Sequence, residues 1–356
     1  MKPRIKDGVS VLFRTMESGD IELNFLVEVT STIVTFQVDR NTLNCVRLFD
    51  GKHTVEEISK QTGVSSSAIS QLSAALEAAH VLETNARQRN DYQGTRFETQ
   101  AHFFSGFESE QSGDIQQKIG NASVVIIGAG GIGTWVAYGL VIAGVSNLTL
   151  VDPDTVELSN LNRQALFATD VVGHRKVTAL RHKLQQFERE LDVREVTEKI
   201  LSVEACTTIV AYADLVICCA DEPGTDEINR IVSQSCYPGS IPHILCGGYD
   251  GHLGFVGPTI VPGESGCWFC YEQTLEHQLL SAGYEHLLIT TAHVKGGNLG
   301  AISAIIANYH VLEALKVIGG FAKPTLVNQV AEIDFLTHHA HLRPYRQLKE
   351  CPICSK

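Results

Sequence analysis

Three short apolar runs, VSVLF, IELNFLVEV and TIVTFQV, fall between residues 9 and 38 and are separated by polar turns such as Glu17-Ser18-Gly19-Asp20. Alternation on that scale predicts a small antiparallel sheet. The apolar spacing then becomes helical over 41–48, 54–61 and 66–79. Thr54 and Glu57 have the spacing of a capping box, Ser65 or Ser66 can cap the third helix, and Leu72, Leu76, Val81 and Leu82 supply an apolar face. Residues 86–117 are polar, apart from the patch His102-Phe103-Phe104, and predict a linker or arm whose aromatic patch docks. From residue 121 strands and helices alternate: SVVIIG, helix 132–143, LTLVD, helix 173–190, VREVTEKI, helix 203–212, LVICCA. HILCGGY, an extended GFVGPTIVP, a long apolar helix from about 300 to 318 and a terminal strand pair ending in CPIC complete the chain. This order predicts an α/β fold, a Rossmann-like doubly wound, mostly parallel sheet.

At 356 residues the chain is too long for one ordinary domain. The predicted plan is a small domain over 1–88, an arm over 89–120 and the α/β domain over 121–356. Hydrophobic residues at 44% and charged ones at 19% exclude general disorder. A net charge of −12 without a basic run argues against nucleic acid and anionic membranes as partners. With no apolar signal core and no uninterrupted apolar run of roughly 18–20 residues, the expected compartment is the cytoplasm.

Sheet plus helices predicts a winged-helix-like unit at the N-terminus. Its would-be recognition helix, SSSAISQLSAALEAA, has no Lys or Arg for phosphate or guanine, so DNA binding ranks below peptide binding or plain packing. The run RLFDGKHTVEEISKQTGVSSSAISQLSAALEAAHVLE resembles the PqqD-like element that binds leader peptides. The resemblance implies a precursor peptide adding along the sheet edge.

The chemistry begins at Gly128-Ala129-Gly130-Gly131-Ile132-Gly133, between a strand and a helix, followed by Asp152 at the end of the next strand. Glycines permit the turn and close backbone approach, and helix N–H groups face phosphate. Taken alone this pattern favours NAD or FAD. Asp154, Asn160, Asn162, Arg163 and Gln164 then crowd together, Lys176 follows, and Asp221 comes after LVICCA. Cations for a triphosphate and a carboxylate for Mg²⁺ suit nucleotidyl transfer. Of ten cysteines, Cys267 pairs with Cys270 and Cys351 with Cys354 as two C-x-x-C knuckles, enough for tetrahedral zinc, while redox pairs remain the alternative; Cys45, Cys206, Cys218, Cys219, Cys236 and Cys246 read as core filler.

GAGGIG, Asp152, DTVELSNLNRQ, GHRKV and CCAD together resemble the ThiF, MoeB and ubiquitin-activating E1 superfamily from about residue 121 to 356. The resemblance implies adenylation of a carboxylate. Gly128, Gly130, Gly131 and Gly133 would carry the turn and Asp152, with Asp154 beside it, the ribose. Asn160, Arg163, Gln164 and Lys176 would hold the phosphates and Asp221 Mg²⁺, with Arg163, Lys176 and Asp221 catalytic. It also implies structural zinc on the four knuckle cysteines and a homodimer. Two departures stand out. No cysteine lies between Tyr271 and Glu350 to take a thioester, and the arm's arginine finger has only Arg96, with Thr99 where a second arginine would stand. These features resemble the peptide-modifying branch, such as the enzymes of microcin C7 and pantocin A biosynthesis. That branch implies activation of a glutamate side chain or C-terminus of a ribosomal peptide. Pro258 and the loop 290–298, including His293 and Lys295, are candidates to shape the peptide pocket, with ordinary loop polarity the stronger reading of each. Adenylation of a ubiquitin-like sulfur carrier, or a non-catalytic leader-binding scaffold, are the alternatives.

Overall fold

In the computed structural model, which describes residues 1–28, 30–83, 92–107, 114–281, 297 and 299–355, the N-terminal alternation is realised as a three-stranded antiparallel meander. A two-residue strand, β1 (Arg4–Ile5), precedes β2 (Val9–Thr15), β3 (Ile21–Val27) and β4 (Thr32–Val38), with β3 in the middle. Ile21, Leu23, Phe25 and Val27 all point into a core shared with helices α1 (Arg40–Arg47), α2 (Val55–Thr62) and α3 (Ser66–Ala78). Each such side chain contributes roughly 1.5–3 kcal/mol by leaving water. The Thr54–Glu57 capping box is present in full, and Ser65 rather than Ser66 caps α3. Residues before the first predicted strand also pair: β1 meets β5 (Leu82–Glu83) antiparallel, with Arg4 and Glu83 in an ion pair at 3.0 Å. Part of the polar stretch is helical. In α4 (Glu98–Ser105) Phe104 is buried, whereas Phe103 is 43% exposed. These elements form one compact unit, Met1–Gln117, and Lys118–Lys356 form a second.

After α5 (Ile115–Asn121) come β6 (Ser123–Ile127), α6 (Gly131–Ala143), β7 (Asn147–Val151), α7 (Lys176–Leu184), β8 (Asp192–Val196), α8 (Val203–Val210), β9 (Leu215–Cys218), α9 (Thr225–Cys236) and β10 (His243–Leu245). Beyond them lie β11 (Gly248–Asp250), β12 (Leu253–Val256), β13 (Thr259–Ile260), α10 (Trp268–Ser281), α11 (Gly300–Gly319), β14 (Gln329–Asp334) and β15 (His339–Pro344). The main sheet has the order β13-β10-β9-β6-β7-β8, parallel except for β13. Strand order therefore reverses between β6 and β9, where α/β sheets open a crevice for ligands.

Four segments differ from expectation. HILCGGY is two strands in two sheets, because Gly248 at φ +73° turns the chain out of β10 into the antiparallel sheet β11-β12-β14-β15. The helix predicted over 173–190 shrinks to Lys176–Leu184: Gly173 N–H donates to Val156 O and Lys176 N–H to Asp154 O, so 173–176 pairs with the chain after β7 before it coils. Helices α9 and α10 went unpredicted, the former lacking a polar N-cap and the latter starting inside the cysteine knuckle.

Among the described residues, α11 is long enough and, at a mean hydropathy of 1.4, apolar enough to span a membrane, although Asn308, His310, Glu313 and Lys316 interrupt its apolar run. It packs along α6 so closely that a Cβ on Gly139 would lie 2.7 Å from Val311. It also buries Glu313, which accepts from Thr259 Oγ1, the N–H groups of Thr325 and Leu326, and Lys316 Nζ. Burial pushes that carboxyl up, yet Lys316 and the two N–H donors outweigh it and hold it below its ordinary value. These are contacts of a core helix.

One turn earlier, His310 is fully buried, with Nδ1 against Ile306 O at 2.8 Å and Nε2 accepting from Gly257 N–H at 3.3 Å. Burial pushes its pKa down to about 4. The unfolded chain binds this proton near pH 6.5 and the folded one does not, so the residue's contribution is complete above pH 6.5 and is lost as pH falls toward 4. The amount at stake is about 3 kcal/mol. We expect urea midpoints to drop between pH 7 and 5, and less steeply for His310→Gln; equal slopes would refute the assignment.

Candidate active site

The turn after β6 is defined by what cannot fit there. Gly128 has φ +95°, and a Cβ on it would lie 2.7 Å from Ala220 N; one on Gly133 would lie 1.9 Å from Gly128 O. Backbone bonds lock the turn between its neighbours, Gly128 N–H donating to Val151 O and Cys219 N–H to Ile127 O. Gly130 is the N-cap of α6 and no side chain caps it. The first-turn N–H groups of α6 are thus available to an anion.

A cavity of about 160 Å³ opens at this switch point, lined by Gly128, Gly130, Asp152, Asp154, Lys176 and Asp221. Six of the sequence-predicted residues therefore meet at one place. Asp152 is buried, and its two oxygens accept from Ala129 N–H (2.7 Å) and Asp154 N–H (2.9 Å). Lys176 Nζ lies 2.8 Å from Asp154 and 3.9 Å from Asp152. Burial raises the Asp152 pKa despite the pull of Lys176 and the N–H donors. Asp221 is exposed at the cavity edge.

Gly131 and Gly133 lie in the first turn of α6. Asn160, Arg163 and Gln164 are not among the cavity's lining residues. Asn160 ends the 3-10 turn Leu158–Asn160, and the other two come just after it. Asn160 Oδ1 accepts from Glu157 N–H, and Arg163 Nη1 donates to Ser159 O and Asn162 Oδ1. Gln164 is 1% exposed and its Oε1 is buried without a protein partner, which is costly unless something else supplies a donor. The stem of Arg163 lies against the start of α6: its Cγ and Cδ are 3.2 Å from where a Cβ on Gly131 would stand.

Four sulfurs converge away from this crevice. Cys267 and Cys351 are 3.5 Å apart, Cys270 and Cys354 3.4 Å, Cys267 and Cys270 4.0 Å, and all four lie within 4.8 Å of one another, buried. Tetrahedral zinc at about 2.3 Å from each sulfur needs sulfurs about 3.8 Å apart. The Leu348 N–H points at Cys270 Sγ and the Ile353 N–H at Cys351 Sγ, and Tyr345 Oη donates to Gly266 O, orienting the knuckles. This donor set could hold zinc with no open position.

Sequence reasoning missed Lys199, Ile200, Leu201 and Ile228, which also line the cavity. Ile228 belongs to the unpredicted α9. Lys199, Ile200 and Leu201 come after β8, and no motif marks them. Arg96 stacks on Phe97 at 4.6 Å within the N-terminal unit. Pro258 follows a cis peptide bond between β12 and β13. His293 and Lys295, with the rest of 290–298 except Gly297, lie outside the described residues.

A family model described as the ThiF family matches residues 97–353. The sulfur carrier protein ThiS adenylyltransferase of Escherichia coli (strain K12) is 31% identical over 246 residues, 68% of this chain and 89% of that protein. Among solved structures, Escherichia coli MccB with AMPCPP and MccA superposes with a TM-score of 0.75 at 20% identity, covering 99% of this chain and 100% of that one. PaaA does so with a TM-score of 0.70 at 22% identity, covering 96% and 100%. At those identities the structural likeness is one of fold.

Adding a methyl at the turn should destabilise the fold itself. Gly128→Ala combines the left-handed φ with a backbone clash and is expected to cost at least about 2 kcal/mol, read as a lower Tm. Gly130→Ala, whose Cβ meets nothing within 4 Å, should leave Tm almost unchanged.

Proposed function

The chain belongs to the ThiF family and is an ATP-dependent adenylating enzyme, and from that premise we propose that the carboxylate it activates belongs to a ribosomally made peptide. The carrying observation is the extent of the fold likeness. MccB and PaaA match through the N-terminal unit, whereas the sulfur-carrier adenylyltransferase matches 68% of the chain. That unit offers a sheet with β2 and β4 as its edges and with Leu12, Phe13 and Ile33 exposed by 50% or more. An extended leader adding to such an edge would find main-chain partners and apolar contacts.

In this reading adenine lies among Val151, Ile200, Leu201 and Ile228, and Asp152 accepts from the ribose. The triphosphate runs along the first turn of α6 toward Arg163, with Lys176, Asn160 and Gln164 beside it and Mg²⁺ on Asp221. A glutamate side chain or C-terminal carboxylate attacks the α-phosphorus, the bond to pyrophosphate breaks, and a nucleophile of the same peptide displaces AMP from the acyl-adenylate. The net result is dehydration. Exposed Ile142 on α6 and Ile305, Tyr309 and Leu312 on α11 support a homodimer burying that face. Zinc on the four cysteines would fasten the C-terminal tail. The greater sequence identity to the sulfur-carrier enzyme favours a second reading, a ubiquitin-like carrier as acyl substrate.

Pyrophosphate release from ATP should depend on the precursor peptide. Lys176→Ala and Asp221→Ala should each lower the rate about a hundredfold or more. Release driven instead by a carrier ending in Gly-Gly selects the second reading, and unchanged peptide processing by Asp221→Ala would remove Asp221 from the machinery. Elemental analysis should find one zinc per chain, lost in Cys351→Ser together with several degrees of Tm.

A further inference from the structure

The ion pair between Lys199 and Glu222 is set apart from the other exposed pairs by what it spans. Lys199 Nζ donates to Glu222 Oε2 at 3.0 Å, with 55% and 68% of the two side chains exposed. Lys199 comes after β8 and Glu222 after β9. In the main sheet those strands are not neighbours, since the order β9-β6-β7-β8 leaves two strands between them. At roughly 4.8 Å per strand their ends stand about 14 Å apart. The pair therefore reaches across the ends of β6 and β7, which lead into Gly128 and Asp152.

Both residues line the cavity at the switch point, with Ile200 and Leu201 on the Lys199 side and Asp221 and Ile228 on the Glu222 side. Among the described residues theirs is the one hydrogen bond between 198–201 and 220–223. An exposed ion pair does little for the stability of a fold. This one instead ties together two walls of one cavity that the sheet leaves apart. It also covers a charge. The lining holds the carboxylates of Asp152, Asp154, Glu198, Asp221 and Glu222 against two lysines, and Lys176 is already engaged with Asp154.

We infer that the Lys199–Glu222 pair is a positioning bar for the nucleotide, closing the crevice over the nucleoside end and fixing the distance between its two walls. The inference rests on the nucleotide reading of this cavity. With the pair made, the loops after β8 and β9 already stand at the separation that receives a base between Ile200 and Leu201 on one side and Ile228 on the other, so binding has less ordering to do. With the pair broken, the ligand must order both walls itself and binds less tightly. Lys199 and Glu222 are positioning residues, and neither takes part in the bond exchange at phosphorus. A purely electrostatic role makes the opposite claim, with Lys199 attracting phosphate and Glu222 repelling it.

The test uses the full chain with AMP and ATP as probes and affinities from calorimetry. Lys199→Met and Glu222→Gln, which keep most of each side chain and remove its charge, are each expected to weaken both nucleotides about three- to fivefold, the worth of one exposed ion pair. The losses should be equal for AMP and ATP, because the bar acts on the nucleoside end they share. The exchanged double variant, Lys199→Glu with Glu222→Lys, should recover the wild-type affinities, since a bar works in either polarity. Tighter ATP binding by Glu222→Gln, or an exchanged variant no better than the single ones, overturns the inference. Unchanged affinities in both single variants overturn the bar while leaving the nucleotide reading intact. Wild-type protein that binds neither nucleotide overturns that reading, and the inference with it.

Discussion

The crevice at the switch point depends on burying one carboxylate. Placing Asp152 at the end of β7, 6% exposed, costs several kcal/mol in lost hydration unless donors replace the water. Three segments supply them: Ala129 N–H from the glycine turn, Asp154 N–H from the chain after β7, and the nearby charge of Lys176 at the start of α7. Each donor is thereby fixed relative to the others. Because 173–176 must pair with 154–156 to bring Lys176 there, α7 starts late and the cavity stays open above Asp152.

The second constraint is steric. Gly128 and Gly133 let the turn press onto the end of β9, and Gly131 and Gly300 let Arg163 lie against two helix starts. Charge and clearance act on opposite sides of the same turn. On the Asp152 side a buried anion gathers donors, and on the Arg163 side missing side chains let a cation and free N–H groups approach. This arrangement suits a ligand that is neutral at one end and polyanionic at the other.

Much of this was legible in the sequence because it is local. Strand, glycine turn, helix, strand and Asp152 form one contiguous run, and period-2 or period-3.6 spacing marked β2 to β4, α1 to α3 and α6 directly. The parts that remained hidden depended on distant pairing. The strand HILCGGY looked continuous until Gly248 sent half of it to another sheet. Lys199 to Leu201 carry no motif and gain meaning from β8 lying next to β7. Ser303 and Tyr249, 54 positions apart, meet through the packing of α11 on β11 and β12. The four cysteines were the exception at long range, since C-x-x-C spacing announces each knuckle, although that the pairs come together is a fact of the fold.

The thiols bear on one possible fate of an acyl-adenylate, transfer to a cysteine as a thioester. All ten cysteines lie among the described residues. Four form the cluster, Cys45 belongs to the core of the N-terminal unit, and Cys206 and Cys236 to that of the sheet. The remaining three sit near the crevice, at the ends of β9 and β10. Burial pushes the Cys218 and Cys219 thiols far up and Cys246 to about 12. A thiol held that high is scarcely thiolate at neutral pH and is a poor nucleophile. Cys219 lines the nucleotide cavity, but as part of its apolar wall. A thioester relay needs an exposed thiol with a lowered pKa within reach of the acyl carbon, and none of these fits. Under the proposed peptide reading, none of these three thiols serves as a relay, in keeping with a nucleophile that arrives with the peptide.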